Sequence, residues 1–405
     1  MRLSNNLMYK NSLNSILNNQ QEVNKSQQQV STQKRVLSAS DDPSAMARAL
    51  LYGDRIQTNE QYTKNTSMLN SRLETQETVL DNINESLLKA QQLAIQAGNG
   101  ALTASDRAGI AEEVNTIKTA VLDWMNAKSE DGRYIFSGYQ DNTQTYEFDQ
   151  VTNEYTYRGD QGQHKIKVAE GVEIRSSDNG FDVFEKVSKR LNIDSTSVAP
   201  ATATVYVNEQ GSFDNFHKAN YNADPAAPAT ANTITINVTS ATTFDVVQGG
   251  ATIQSGTFSG NSLSAAGMDM TFAGAAPTSF SFDLEKPTTQ NVLNTLDNLS
   301  TALTDSTLGS VDYQQALADA MVGLTNAKNV VSQTQSGLGG RSNTVESILS
   351  ANQALDINNK SAKAGLVEID MAEAISNLTK HETALQASQA TFGRLSSLTL
   401  LDYIR

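Results

Sequence analysis

Apolar residues recur every seven positions at both ends of this chain. Ile16, Val23, Val30 and Leu37 make one stripe, with Leu13 on the adjoining position, and Ile357, Ala364, Met371, Leu378, Leu385 and Phe392 make the other. Sustained spacing of this kind predicts helices that pack along a coiled-coil-type seam. Both seams are narrow, because the expected partner positions Gln20, Gln27, Glu382 and Gln389 are polar. A narrow stripe on an isolated helix buries too little apolar surface to offset chain ordering, so the two ends need a surface to pack on.

Broader stripes lie inside them. Leu69, Leu73, Leu80, Ile83, Leu87 and Ala90 mark one helix that ends near "AGNG", and Ile110, Val114, Ile117, Val121 and Trp124 mark a second. Further on, Val292, Leu296, Leu299 and Leu303 are followed by Leu317, Met321 and Leu324. The "GLGGR" stretch at 337–341 predicts a helix–helix turn before Val345, Ile348 and Leu355, since no strand precedes it and no Walker lysine follows. Trp124, Met321 and Met371 all continue apolar stripes and are expected in the core.

Between 132 and 175 the period changes to two. "YEF", "YTY" and "HKIKV" alternate, separated by turn-rich "DQVTNE" and "RGDQGQ", and predict hairpins. After about 195 the chain turns to Thr, Ala, Ser and Gly, and five of the six prolines fall between Pro200 and Pro287, which argues against long helices. "TITINVT", "MDMTF" and "FSFDL" predict strands there. Helical pattern resumes after Pro287, so the expected fold is mainly α with an inserted β domain, the helical ends nested around it. Terminal coiled-coil helices occupy 1–40 and 357–405, a helical rod 41–194 and 287–356 with its hairpin region at 132–175, and a small variable β domain 195–286.

Composition narrows the function. A formal charge of −14 without a basic run disfavours nucleic acid and anionic membrane as partners. With no cysteine there is no disulfide, thiolate metal site or cysteine nucleophile. The first residues lack the apolar core and cleavage site of a secretory signal, and no stretch approaches the roughly 18 apolar residues of a membrane span. The three histidines, His164, His217 and His381, fall in different contexts, and "HETAL" at 381 lacks the second histidine of a zinc-protease helix. No G-x-S-x-G elbow or GxxxxGK loop occurs. No catalytic, metal or cofactor site is expected, and the protein is expected not to be an enzyme.

The paired aspartates of "SDDP" have a structural reading. Asp42 before Pro43 matches an N-cap followed by proline at the first helical position, a boundary between the N-terminal seam and the helix that follows. "SASDDPSAMARALLYGDRIQ" also resembles the turn that follows the first helix in the flagellin superfamily. "EIDMAEAISNLTKHETALQASQATFGRLSSLTLLDYIR" resembles that superfamily's C-terminal helix. Within the superfamily, "MRLSNN", "DGRYIFSGYQDNTQTYEF", "YRGDQGQHKIKVAEGVEI" and the ending "LTLLDYIR" resemble the members that join hook to filament. The likeness covers about 1–190 and 288–405 and leaves 195–286 unmatched.

That resemblance implies an extracellular structural part of the bacterial flagellum, exported unfolded through the flagellar type III channel without a cleaved signal. Copies of such a protein form a ring between a hook-side junction protein and flagellin, and a cytoplasmic export chaperone binds the C-terminal region. The residues expected at the assembly interface are Ile16, Val23, Val30, Leu37, Leu378, Leu385, Phe392, Leu395 and Leu398, whose head-to-tail packing generates rings or filaments rather than closed dimers. The flagellin filament subunit itself and a secreted adhesin on a helical stalk are the alternative readings.

Overall fold

The computed structural model describes residues 2–200 and 202–401, with side chains for 6–200 and 202–394. In chain order the elements are α1 (Arg2–Thr32), α2 (Pro43–Ala97), α3 (Ala104–Met125), β1 (Tyr146–Asp149), β2 (Glu154–Tyr157), β3 (Lys165–Ala169), β4 (Val172–Arg175), β5 (Val187–Ser188), β6 (Ile193–Ala199) and β7 (Thr204–Val207). They continue with α4 (Gln210–Asn220), β8 (Thr233–Val238), β9 (Thr243–Gln248), β10 (Ala251–Thr257), β11 (Ser262–Ala265), β12 (Met268–Thr271), β13 (Thr278–Leu284), β14 (Thr289–Gln290), α5 (Val292–Thr304), α6 (Ser310–Val367) and α7 (Met371–Leu401). The fold is helical at both chain ends with an antiparallel β-rich insert. Contacts divide the chain into two compact units. The first holds the residues up to Met68, Lys167–Glu173 and those from Thr344 on, and the second holds Leu69–Ile166 and Ile174–Asn343.

In the first unit α1 and α7 lie antiparallel, with Tyr9 beside Phe392 at 4.9 Å between ring centroids and Lys34 bridged to Glu368 at the other end. The early part of α2 faces the late part of α6 through a buried amide: Asn59 donates to the Asn352 carbonyl at 2.5 Å. The Asn352 amide donates in turn to the Val168 carbonyl (2.9 Å), and Asn65 to that of Lys167 (2.9 Å), which fixes the hairpin tip on both helices. Buried polar groups are tolerated only when hydrogen-bonded in this way.

In the second unit α2 and α6 run antiparallel, with Gln335 donating to Asp81 (2.6 Å), Gln91 to Thr325 (2.7 Å) and the Tyr313 hydroxyl to the Ala97 carbonyl (2.9 Å). All six residues of the first inner stripe, Leu69 to Ala90, are at most 1% exposed. Helix α3 begins in a capping box, with Thr103 and Asp106 each accepting the other's backbone N–H. It packs on α5, whose Val292, Leu296, Leu299 and Leu303 are buried as the stripe predicts. Trp124 does not enter this core: it is 37% exposed, and Met125 takes the buried place at fourfold spacing from Val121. Met321 is likewise 38% exposed.

The hairpins form, paired as β1–β2 and β3–β4. Tyr146 is fully buried, its backbone N–H and C=O both held by the Asn126 carboxamide (2.8 and 3.1 Å) and its hydroxyl donating to the Gly180 carbonyl (2.9 Å). The insert is a five-stranded antiparallel sheet, ordered β10-β9-β8-β13-β6, and a three-stranded sheet, β11-β12-β7. Its core gathers Ile234, Ile236, Phe244, Val246, Met270 and Phe282, all at most 2% exposed. Helix α4 was not expected. It buries Phe213 and His217, one turn apart, against the sheets, and desolvation pushes the His217 imidazole below its ordinary pKa while its Nε2 bonds the Glu285 carbonyl at 2.8 Å. Arg190 holds the insert to α6: its buried guanidinium donates to Asp319 (3.0 Å), Gln315 (3.0 Å), the Val207 carbonyl (3.1 Å) and Gln210 of α4.

The "GLGGR" stretch is not a turn. Helix α6 runs through it without a break, because Val331, Leu338 and Val345, seven residues apart and each 1% exposed, carry the buried stripe across the glycines.

Candidate assembly interface

Of the expected interface residues on α1, Val23 is buried while Ile16 and Val30 are half-buried against α7. On α7, Leu378, Leu385 and Phe392 are half-buried. The second row of the seam is one residue away from its expected place. Asn19 and Ser26 turn inward in place of Gln20 and Gln27, and His381 and Ser388 in place of Glu382 and Gln389. Asn19, Ser26, His381 and Ser388 stand three positions after Ile16, Val23, Leu378 and Leu385. Asn19 uses its place there to donate to Ser388 Oγ (2.7 Å) and to the Ala384 carbonyl (3.3 Å), which sets the register of the pair.

Leu37 is not on the seam. Helix α1 stops at Thr32 because Gln33 turns to φ 60°, a left-handed conformation that costs a residue with a side chain about 1 kcal/mol. The Gln33 carbonyl accepts from Ile369 N–H (3.2 Å), and Arg35 N–H donates to the Val367 carbonyl (2.8 Å), so the exits of α1 and α6 are tied like two strands. Beyond the turn Val36 is buried at 2% and Leu37 only half-buried. The C-terminal stripe is interrupted in the same place: α6 ends at Val367, and Asp370 starts α7 by accepting Ala372 N–H at 2.8 Å. Ile357, before the break, is 67% exposed. The side chains of Leu395 and Leu398 lie outside the described residues.

The two aspartates divide their work. Asp42 caps α2 at Pro43, its Oδ1 accepting Ala45 N–H at 2.9 Å. Asp41 organises the preceding loop: its Oδ2 accepts Leu37 N–H (3.1 Å), Ser38 N–H (3.0 Å) and Ser38 Oγ–H (3.2 Å), and its Oδ1 meets Lys25 of α1 at 3.0 Å. The Lys25 bond, with those from the loop backbone, holds the Asp41 carboxyl down from 3.8 to about 2. The role of Asp41 was not legible in the sequence, since it depends on Lys25 arriving from the previous helix.

This unit leaves large apolar side chains uncovered. Leu7 (61%), Leu17 (53%) and Ile375 (52%) stand out from the α1–α7 pair, with Leu50 (64%) on α2 and Leu355 (54%) on α6. Among the described residues no group of three or more His, Cys, Asp or Glu could hold a metal, and no helix is long and apolar enough to cross a membrane.

Paired terminal helices and a β-rich domain inserted in the middle of a helical chain define a mainly helical protein built from both of its ends. The chain belongs to the flagellin superfamily: the bacterial flagellin N-terminal helical region matches residues 3–141 and the C-terminal helical region residues 321–404, together more than half of the chain. It is similar to flagellar hook-associated protein 3 of Salmonella typhimurium, 35% identical over 38% of this chain and 48% of the relative, and to that of Escherichia coli K12, 29% identical over 46% of this chain and 58% of the relative. These matches thus span about half the length of the two relatives. In fold it resembles the flagellar junction protein FlgL from Legionella pneumophila, with a TM-score of 0.57 at 22% identity, over 79% of this chain and all of that one.

Proposed function

We propose that this protein is a structural, non-catalytic subunit of the bacterial flagellum, a ring of copies between hook and filament on which flagellin polymerises. The observation that carries the reading is the α1–α7 pair, whose stripe residues Ile16, Leu378, Leu385 and Phe392 are only half covered by their own chain while Leu7, Leu17 and Ile375 stand open. A second copy set beside the first, and the next beside that, covers these positions, and such heterologous packing closes as a ring or continues as a helix. The names of the two hook-associated relatives support a place at the hook.

Export as an unfolded chain through the flagellar type III channel agrees with the chemistry. No disulfide opposes threading, and the terminal seam is thin enough to open at small cost and complete itself on assembly. The same uncovered C-terminal stripe gives a cytoplasmic chaperone something to hold, and the hook-side junction protein and flagellin are the neighbours proposed outside the cell. Leu385→Asp or Phe392→Asp, supplied from a plasmid to a strain lacking the protein, is expected to reduce filaments per cell at least about tenfold. A buried charge without a partner costs several kcal/mol per interface. The purified variants should keep the wild-type melting of the second unit. Filaments at wild-type number would contradict the proposed interface.

A further inference from the structure

The chain holds two Asn-Gly pairs, Asn99–Gly100 and Asn179–Gly180. An asparagine before glycine can lose its side-chain amide without an enzyme. The glycine's backbone nitrogen attacks the asparagine Cγ, and glycine permits the approach because it has no side chain to crowd that nitrogen. The reaction needs a free nitrogen, a movable carboxamide and a donor for the oxygen on which charge develops.

The two pairs differ in how far they meet these needs. Asn179 is 1% exposed, its Nδ2 donating to Asp182 Oδ2 (2.9 Å) and to the Gln161 carbonyl (3.3 Å), its Oδ1 accepting Asp182 N–H (2.8 Å). The Gly180 N–H is committed to the Phe136 carbonyl at 2.7 Å. Nucleophile and carboxamide are both locked there. Asn99 and Gly100 are exposed, in the turn between the end of α2 at Ala97 and the start of α3 at Ala104. Asn99 N–H donates to the Gln96 carbonyl (3.1 Å) and Leu102 N–H to the Asn99 carbonyl (3.1 Å), but neither bond occupies a reacting atom. Among the described residues the Gly100 N–H has no hydrogen-bond partner, and neither has Asn99 Nδ2. Asn99 Oδ1 accepts Ala101 N–H at 3.1 Å. A backbone donor so placed polarises the carboxamide and stabilises the negative charge its oxygen gains when Cγ is attacked.

We infer that Asn99 is a site of spontaneous covalent modification, converted by its own turn to aspartate and isoaspartate, while the fold keeps Asn179 intact. The Gly100 nitrogen bonds to Cγ, its proton passes through water to the departing amide nitrogen, and ammonia leaves. Water then opens the five-membered imide at either carbonyl, with no oxidation or reduction. The new carboxylate lies just past the C-terminal end of α2, where the helix dipole disfavours negative charge. The full-length protein is incubated at mildly alkaline pH, folded or in guanidinium chloride, and digested with trypsin in mildly acidic buffer. The peptides 90–107 and 176–186, which carry the two asparagines, are then weighed for the exchange of an amino group for a hydroxyl. The folded protein should lose the Asn99 amide and keep that of Asn179, and the unfolded chain should lose both. An added Cβ at Gly100 meets nothing within 4 Å, so Gly100→Ala tests the nucleophile without disturbing the turn. It should slow the loss at Asn99 about tenfold or more, a rise in the barrier of about 1.4 kcal/mol. Equal survival of the two amides in the folded protein, or a Gly100→Ala variant that converts as fast as the parent, would overturn the inference.

Discussion

At the scale of single residues, Asp41 decides how the chain leaves its first helix. Its carboxylate collects two backbone N–H groups, a hydroxyl and the Lys25 ammonium, and its pKa falls from 3.8 to about 2 as a result. A folded-state pKa below the unfolded one means that the native state binds the proton less readily. The contribution is therefore complete above about pH 4 and is lost as the pH falls through 2. An NMR titration of the Asp41 carboxyl carbon should show a midpoint near 2, with Leu37 and Ser38 amide exchange accelerating below it, and Asp41→Asn should give fast exchange at neutral pH. A midpoint at 3.8 with slow exchange in the variant would show the loop held by something else. Asp42, by contrast, could be read from its neighbours alone, because an N-cap before proline is a local device.

At the scale of elements, α6 is the informative case. Its glycines at 337 and 339 have no neighbouring atom within 4 Å of an added Cβ, so nothing in the packing calls for glycine there. Gly337→Ala and Gly339→Ala should each stabilise the protein by about 0.5–1 kcal/mol, by removing freedom from the unfolded chain. A urea titration reads this directly, and a loss of stability would mean that the helix bends or opens at these positions. The same helix shows how the sequence can mislead: glycines suggested a turn, while the seven-residue run of Val331, Leu338 and Val345 was the stronger signal. The inner helices were legible because their stripes are wide and long. Helix α4 was not, since 11 residues with only Phe213 and His217 fully buried give too short a period to detect. The end of α1 was hidden for another reason: Gln33 takes the left-handed conformation without being the glycine that usually announces it.

At the scale of the whole molecule, covered and uncovered surfaces are unevenly shared. The insert and the inner helices close their own cores, with Arg190 fixing one to the other through four hydrogen-bond partners. The first unit keeps leucines and two isoleucines in the open and leaves its seam half finished. The α1–α7 seam was legible in outline, from the stripes, but its second row was not. The choice of Asn19, Ser26, His381 and Ser388 as inward residues depends on the antiparallel register of two helices more than 300 residues apart, which no local pattern encodes. The proposed assembly role rests on that unevenness, and it is most directly tested by deleting the protein from its source bacterium, imaging the hooks by electron microscopy and assaying the culture medium for flagellin. Bare hooks with flagellin released into the medium are the result expected of a junction on which the filament starts. Intact filaments on the deletion strain, or bare hooks without released flagellin, would contradict it.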